Sequence, residues 1–420
     1  MSNKSYYLFL LWVFVTGIYL IDAENVSLFL IYFIFFMISL SSIRLGFLAK
    51  LISLSFYLFI FSRPVSLTIF PENITFPITG NNEDIHLTLL SYSLYYYSVL
   101  IIACLIFENR SVKLSQEPIS KELIYGCLLY FILITIVVIS NNNLFSFSNK
   151  GYSKEFLIIK KVWDHSSFAL IVLLLFYTGF IKRIFLATLL VINFSYYPSK
   201  AAFFSIAGPI YLARVLRNKE PPVRWVFFLL FLFIFSYVLA DTVRVNRTID
   251  FEFMFLRITQ SLFNIMQRIG FNYDMALHYG DQFLDVFYPI DIFKSVINGY
   301  VPGEIFKTNR IFSGSDLHAL KYGIDLEQNK IGGGGFNLGF LLFDRAYFGY
   351  FAPIISLVFL CPIIYVYNRG NIVYKVIVAF GLFQIGNGDS FIFLLKILNN
   401  LLLFYIFSLM INKLKRLLFL

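Results

Sequence analysis

Long apolar segments recur along nearly the whole chain, and few folds could bury so many of them in water. They fall at about 6–21, 26–42, 46–62, 87–107, 123–140, 166–181, 184–197, 201–217, 225–240, 350–367, 372–386 and 391–411. An upright membrane helix wants ~20 such residues, so several are short but within reach of a bilayer. Charged residues make up 14% of the 420, with a mean hydropathy of +0.76; soluble domains carry roughly 25%. The pattern predicts an all-α polytopic membrane protein with about 12 transmembrane helices. The 52 Phe and 28 Tyr suit lipid-facing surfaces and interface belts. Cys104, Cys127 and Cys361 all lie inside apolar runs, so neither a disulfide framework nor a metal cluster is expected.

Basic residues orient the spans. If the N-terminus is cytoplasmic, the inner turns hold Arg44 and Lys50; Arg110, Lys113 and Lys121; Lys182 and Arg183; and Arg214, Arg217, Lys219 and Arg224. They also hold Arg369 and the tail residues Lys413, Lys415 and Arg416. This is the distribution the positive-inside rule asks for, and it places both termini inside. The turn at 141–165 dissents, with Lys150, Lys154, Lys160 and Lys161 on the outer side, where Trp163 suits headgroup level. The run Tyr6–Ile21 lacks a small-residue cleavage pattern after it and reads as a retained first span.

The same alternation leaves one long connection outside. Three regions result: an N-terminal bundle of about nine spans over 1–240, a large outer loop over 241–349, and C-terminal transmembrane helices over 350–420. Long connections in compact proteins are usually functional. Between 241 and 335 this one carries nine Lys/Arg against eleven Asp/Glu, so it is not a charged tail.

Arg244 and Arg247, in DTVRVNRTID, share a face if that stretch is helical. Just above the membrane they could fork onto phosphate oxygens, as arginine does and lysine does not, or simply anchor to headgroups. In 252–270 the polar positions Arg257, Gln260, Ser261, Asn264, Gln267 and Arg268 recur at three and four, which marks one face of an amphipathic helix. Arg257 and Arg268 stand about 16 Å apart along that face. They either hold an extended anionic substrate or form a solvated face. Residues 271–331 mix Tyr273, Asp274, His278, Tyr279, Asp281, Asp285, Asp291 and Arg310 with Pro and Gly, a composition suited to stacking on sugars and bonding their hydroxyls. His318, in GSDLHALKYG, can take a proton from an alcohol near neutral pH, with Asp316 to orient it; a structural histidine is the plainer alternative.

The loop ends in IGGGGFNLGFLLFDRAYFGY. A glycine run permits close approach or a hinge, and 336–349 read as a re-entrant or interfacial stretch entering the span that starts near Tyr350. Asp344 and Arg345 at membrane depth are functional candidates by default. Arg345 would bind phosphate with Asp344 as its orienter, or both would face headgroups. Lys200 sits at the outer tip of a tight helical hairpin, FSYYPSKAAFFSIAG, and would point at the same pocket as Arg244.

Three features carry a resemblance: the YYPSKAAFFSIAGPIYL hairpin, the DTVRVNR exit into one large loop, and the GGGGFNLGFLLFDRAYFGYFAP entry into the next span. In layout the chain resembles the bacterial O-antigen polymerases of the Wzy type and related oligosaccharide repeat-unit polymerases. Ser199-Lys200 departs from the serine–arginine pair common at that hairpin tip. The resemblance implies a multi-pass protein of the bacterial inner membrane in lipopolysaccharide or related polysaccharide biosynthesis, with the large loop periplasmic. The implied reaction is glycosyl transfer. A glycan on undecaprenyl diphosphate moves onto a sugar hydroxyl of an incoming lipid-linked repeat unit. No cofactor, metal or nucleic acid is implied; the partners are the lipid-linked oligosaccharide, membrane lipids and a chain-length regulator. On this reading Arg244, Arg247 and Arg345 hold the diphosphate, where charge develops, and His318 with Asp316 deprotonates the hydroxyl. Arg257, Arg268, Lys200 and Arg310 support substrate binding. The main alternative is a flippase or exporter of the same lipid-linked sugars, which would usually show two related halves and short outer loops. A membrane acyltransferase is a third reading, but His86, His165, His278 and His318 do not fall near an inner or mid-membrane donor site.

Overall fold

The computed structural model describes residues 46–61, 63, 83–109, 119–141, 167–176, 179, 186, 202–217, 238, 252, 273, 274, 276, 277, 344, 345, 347–387 and 390–418. Among them every regular element is helical and no strand occurs. The order is α1 (Phe47–Phe56), running into a π-helical turn Tyr57–Phe61; α2 (Glu83–Phe107); α3 (Lys121–Asn141); α4 (Ser167–Phe176); and α5 (Ala202–Leu216). A 3-10 turn, Gly349–Phe351, leads into α6 (Ala352–Arg369). Then follow α7 (Ile372–Phe383), a second 3-10 turn Ile385–Asn387, and α8 (Ser390–Leu418). These agree with the runs expected near 46–62, 87–107, 123–140, 201–217, 350–367 and 372–386. The last helix is longer than its apolar run. It continues through Lys413, Lys415 and Arg416 to Leu418, because those good helix formers propagate an established helix.

Among the described residues, two helices are long and apolar enough to cross a membrane, Gly349–Arg369 and Phe393–Leu417. The first, at 21 residues, spans about 31 Å, close to the ~30 Å of a hydrocarbon core. Only 33% and 28% of their apolar windows are buried inside the protein, less than a core helix of a water-soluble domain would show. The uncovered sides are themselves apolar: Ile354 and Val358 on α6, and Leu402, Tyr405, Leu409 and Met410 on α8. On α3, Tyr125, Leu129, Leu133 and Ile136 form a similar outward stripe at helical spacing, while Cys127, Phe131 and Ile134 face in. In water such stripes would be a large exposed apolar patch; facing acyl chains they carry no penalty.

Among the described helices, the short α7 packs against α1, α4, α5, α6 and α8. That explains its composition. Ile372, Val373, Val376, Ile377, Val378, Ala379 and Leu382 are all buried, so the helix is apolar on nearly every side, with Lys375 the one charged residue buried among them. Glycines let its neighbours come close. A Cβ on Gly381 would lie 2.2 Å from Ile397, and one on Gly386 would lie 2.8 Å from the Ser55 backbone carbonyl oxygen. One apolar core runs through residues from both sides of the long connection, including Phe56, Tyr96, Phe131, Leu173, Ile363, Val376 and Phe404. The C-terminal helices are thus built into the N-terminal bundle.

The helix ends are capped at one end of this bundle. Glu108, just past α2, accepts hydrogen bonds from the first backbone amides of α1, Leu48 N at 2.9 Å and Ala49 N at 3.3 Å. Two donors that a helix start leaves without an internal partner are satisfied, by a carboxylate the helix dipole favours there. A Cβ at Gly46 would meet that carboxylate at 2.1 Å, so glycine makes the room. Asn368 of α6 closes the same end, donating to Phe107 O and accepting from Asn109 N. Asn371 caps α7 by accepting from Val373 N.

Candidate functional site

The opposite end of the bundle holds four buried ionisable residues, Arg63, Asp274, Asp344 and Arg345, besides Glu108 and Lys375 at the capped end. Arg63 follows the π turn that extends α1. Its Nε donates to Asp274 Oδ1 at 2.8 Å and its Nη2 to Oδ2 at 2.5 Å. This is the bidentate fork that gives an arginine–carboxylate pair its geometric specificity. Both side chains are 1% exposed. Around Asp274, Tyr273, Ala276 and Leu277 are buried in the same core as α1, α2 and α6–α8. A piece of the long connection is therefore embedded in the bundle.

Nearby in the fold lies the Asp344–Arg345 pair. Both residues are helical and precede the break at Gly349, whose φ is +55°. A Cβ there would meet nothing within 4 Å, so the need for glycine is conformational: left-handed backbone is open to it and strained for other residues. Asp344 is fully buried and accepts from the Tyr96 hydroxyl at 2.8 Å. Tyr96 also makes a short hydrogen bond with Ser356 of α6. Arg345, 8% exposed, lies with its guanidinium 6.0 Å from the ring centre of Tyr92. Tyr92 stands one turn before Tyr96 on α2, edge-on to it with ring centres 6.0 Å apart, and reaches Gly349 O through its hydroxyl. Adjacent in sequence, the two ionisable residues thus engage two tyrosines one helical turn apart.

The two sub-clusters share a wall of α2. Phe56 packs on Tyr96 and Tyr97, with ring centres 6.3 and 5.5 Å apart. Phe61 stands edge-on to Tyr97 at 6.1 Å. Tyr97 is fixed in turn by Ser53 at 2.8 Å. Contacts therefore run unbroken from the turn that carries Arg63, through the tyrosines, to Asp344.

Of the residues singled out from sequence, Arg345 and its neighbour Asp344 are found in this cluster, with Asp344 turned to Tyr96. His318, Asp316, Arg244, Arg247, Arg257, Arg268, Lys200 and Arg310 lie outside the described residues. Tyr273 and Asp274 change meaning. As sugar-facing residues they would need exposure, yet Tyr273 is 0% exposed and Asp274 is engaged by Arg63. Sequence reasoning missed Arg63, Tyr92, Tyr96 and Ser356. The signal for Arg63 was an arginine at the lip of an apolar run, ahead of Pro64. For the tyrosines it was SYSLYYYS, polar hydroxyls crowded into an otherwise apolar span.

No family model matches the chain, and neither a curated protein nor a solved structure matches it.

Proposed function

We propose that this protein is a multi-pass inner-membrane glycosyltransferase of bacteria that polymerises undecaprenyl-diphosphate-linked oligosaccharide units at the periplasmic face. In this reading about twelve helices span the bilayer, both termini are cytoplasmic, and the Arg63 end of the bundle is periplasmic. What supports it most is the clustering of buried ionisable residues beside the long connection. One end carries Arg63, Asp274, Asp344 and Arg345, all buried and all beside the long connection. Ionisable groups at membrane depth are rare unless they serve a substrate path.

The chemistry asked of such a site is limited. The donor leaves as a lipid diphosphate, so the protein must neutralise charge that grows on phosphate oxygens, and arginines suit that task. Arg345, held over Tyr92, is the described arginine we place there, with Arg244 and Arg247 beside it. The acceptor hydroxyl must lose a proton, which we assign to His318 supported by Asp316. Arg257, Arg268, Arg310 and Lys200 would line the path of the glycan.

The test is the surface glycan of a deletion strain. A polymerase loss leaves single repeat units displayed outside, and re-expression of the chain restores long polymer. Accumulation of lipid-linked units on the cytoplasmic side would instead identify a flippase, and unchanged glycan length would refute both. In the same strain, Arg345→Ala should reach the membrane at normal abundance yet restore only short glycan.

A further inference from the structure

We propose that Arg63 and Asp274 form a positioning clasp, which seats the long connection on the end of the bundle that carries Asp344 and Arg345. The two residues are 211 positions apart in sequence and meet through two parallel hydrogen bonds. A single-point contact would leave the connection free to swivel; a planar fork on a carboxylate fixes both distance and direction. The flanking residues Tyr273, Ala276 and Leu277 are 0–3% exposed, so the clasp holds a helical turn inserted among transmembrane helices.

Burial makes the choice of residues informative. A buried ion pair is often no more stabilising than an apolar pair of similar volume, because desolvation offsets the attraction. Stability alone therefore gives little reason to place charges here. Orientation does: the clasp aligns the inserted turn with Arg63, at the end of a π-helical turn of the sort that often marks functional positions. Phe56 at the end of α1 and Phe61 in that turn press on Tyr96 and Tyr97, and Tyr96 bonds Asp344. The clasp thus registers the connection against the Asp344–Arg345 corner. Its role in glycan transfer rests on the polymerase reading; the clasp itself does not.

The experiment follows the reactivity of a cysteine introduced by Ala276→Cys, with Cys104, Cys127 and Cys361 changed to alanine, in full-length protein purified in detergent. N-ethylmaleimide should label it slowly when Arg63 and Asp274 are intact. Arg63→Ala or Asp274→Ala should speed labelling at least about tenfold, because the inserted turn then opens locally. Either single variant removes one member of a buried ion pair and could fail to accumulate, so the deciding variant is the apolar pair Arg63→Met with Asp274→Leu. We expect that protein to accumulate normally and still label at least about tenfold faster than the parent. Labelling as slow as the parent would overturn the clasp, since apolar packing alone would then seat the turn. In cells lacking the native gene, the apolar pair without the added cysteine should give shortened glycan. If deletion of the gene leaves glycan length untouched, the polymerase reading fails while the labelling result stands.

Discussion

The two ends of the bundle use polar residues in opposite ways. At one end Glu108, Asn368 and Asn371 bond to backbone amides and carbonyls at helix termini. Those groups need partners in any helical protein, so the side chains there complete secondary structure. At the other end Arg63 bonds to Asp274, and Tyr96 to Asp344 and Ser356, joining α1, α2, α6 and the long connection. No helix end requires those bonds. Burying them has a desolvation cost that capping does not explain, which is why the proposed function is placed at this end.

The comparison can be broken by mutation. The largest effect should come from Asp344→Ala. It removes the acceptor of a buried hydroxyl, for about 1–3 kcal/mol of stability, and we expect loss of long glycan even where membrane abundance is kept. Tyr96→Phe, with the carboxylate retained, should fall between Asp344→Ala and wild type in a glycan ladder. Glu108→Ala should lower thermal stability by about 1–2 kcal/mol through loss of a cap, yet leave glycan length normal at matched expression. If Glu108→Ala abolished polymer while Asp344→Ala did not, the assignment of roles to the two ends would be reversed.

The smallest effect belongs to the exposed pair formed by Glu122 of α3 and Lys415 of α8, at 2.8 Å. The hydrogen bond from Lys415 holds the Glu122 carboxyl below its ordinary range. A depressed carboxylate contributes stability above its unfolded pKa and loses it as pH falls through the folded value. The contribution should therefore be present at neutral pH and fade in acid. Glu122→Gln should flatten that part of the melting-temperature profile against pH and change little at pH 7, as exposed pairs generally do. A large loss at neutral pH would mean that this contact anchors α8.

Much of the fold was legible because bilayer helices are specified by run length and composition. The limits of α3 and α6 were readable to within a few residues from apolar content alone. The far end of α8 was not, because a helix already formed extends through lysines that hydropathy excludes. For the site, Asp344 and Arg345 could be noticed as charges at a membrane lip, but their partners could not. Asp344 meets a residue 248 positions away and Arg63 one 211 positions away, and nothing local distinguishes Tyr96 from Tyr95, which is exposed on the other face of α2.

The amino-acid sequence by itself determined that this chain makes apolar helices, where they begin, and that its ionisable residues are concentrated between them. Those properties depend on neighbours within one or two turns. Which carboxylate meets which arginine, that Tyr273 is core and not a sugar platform, and that α7 packs against α1, α4, α5, α6 and α8 were decided only by tertiary structure. Such contacts join distant segments, and the local pattern of either partner is compatible with many others.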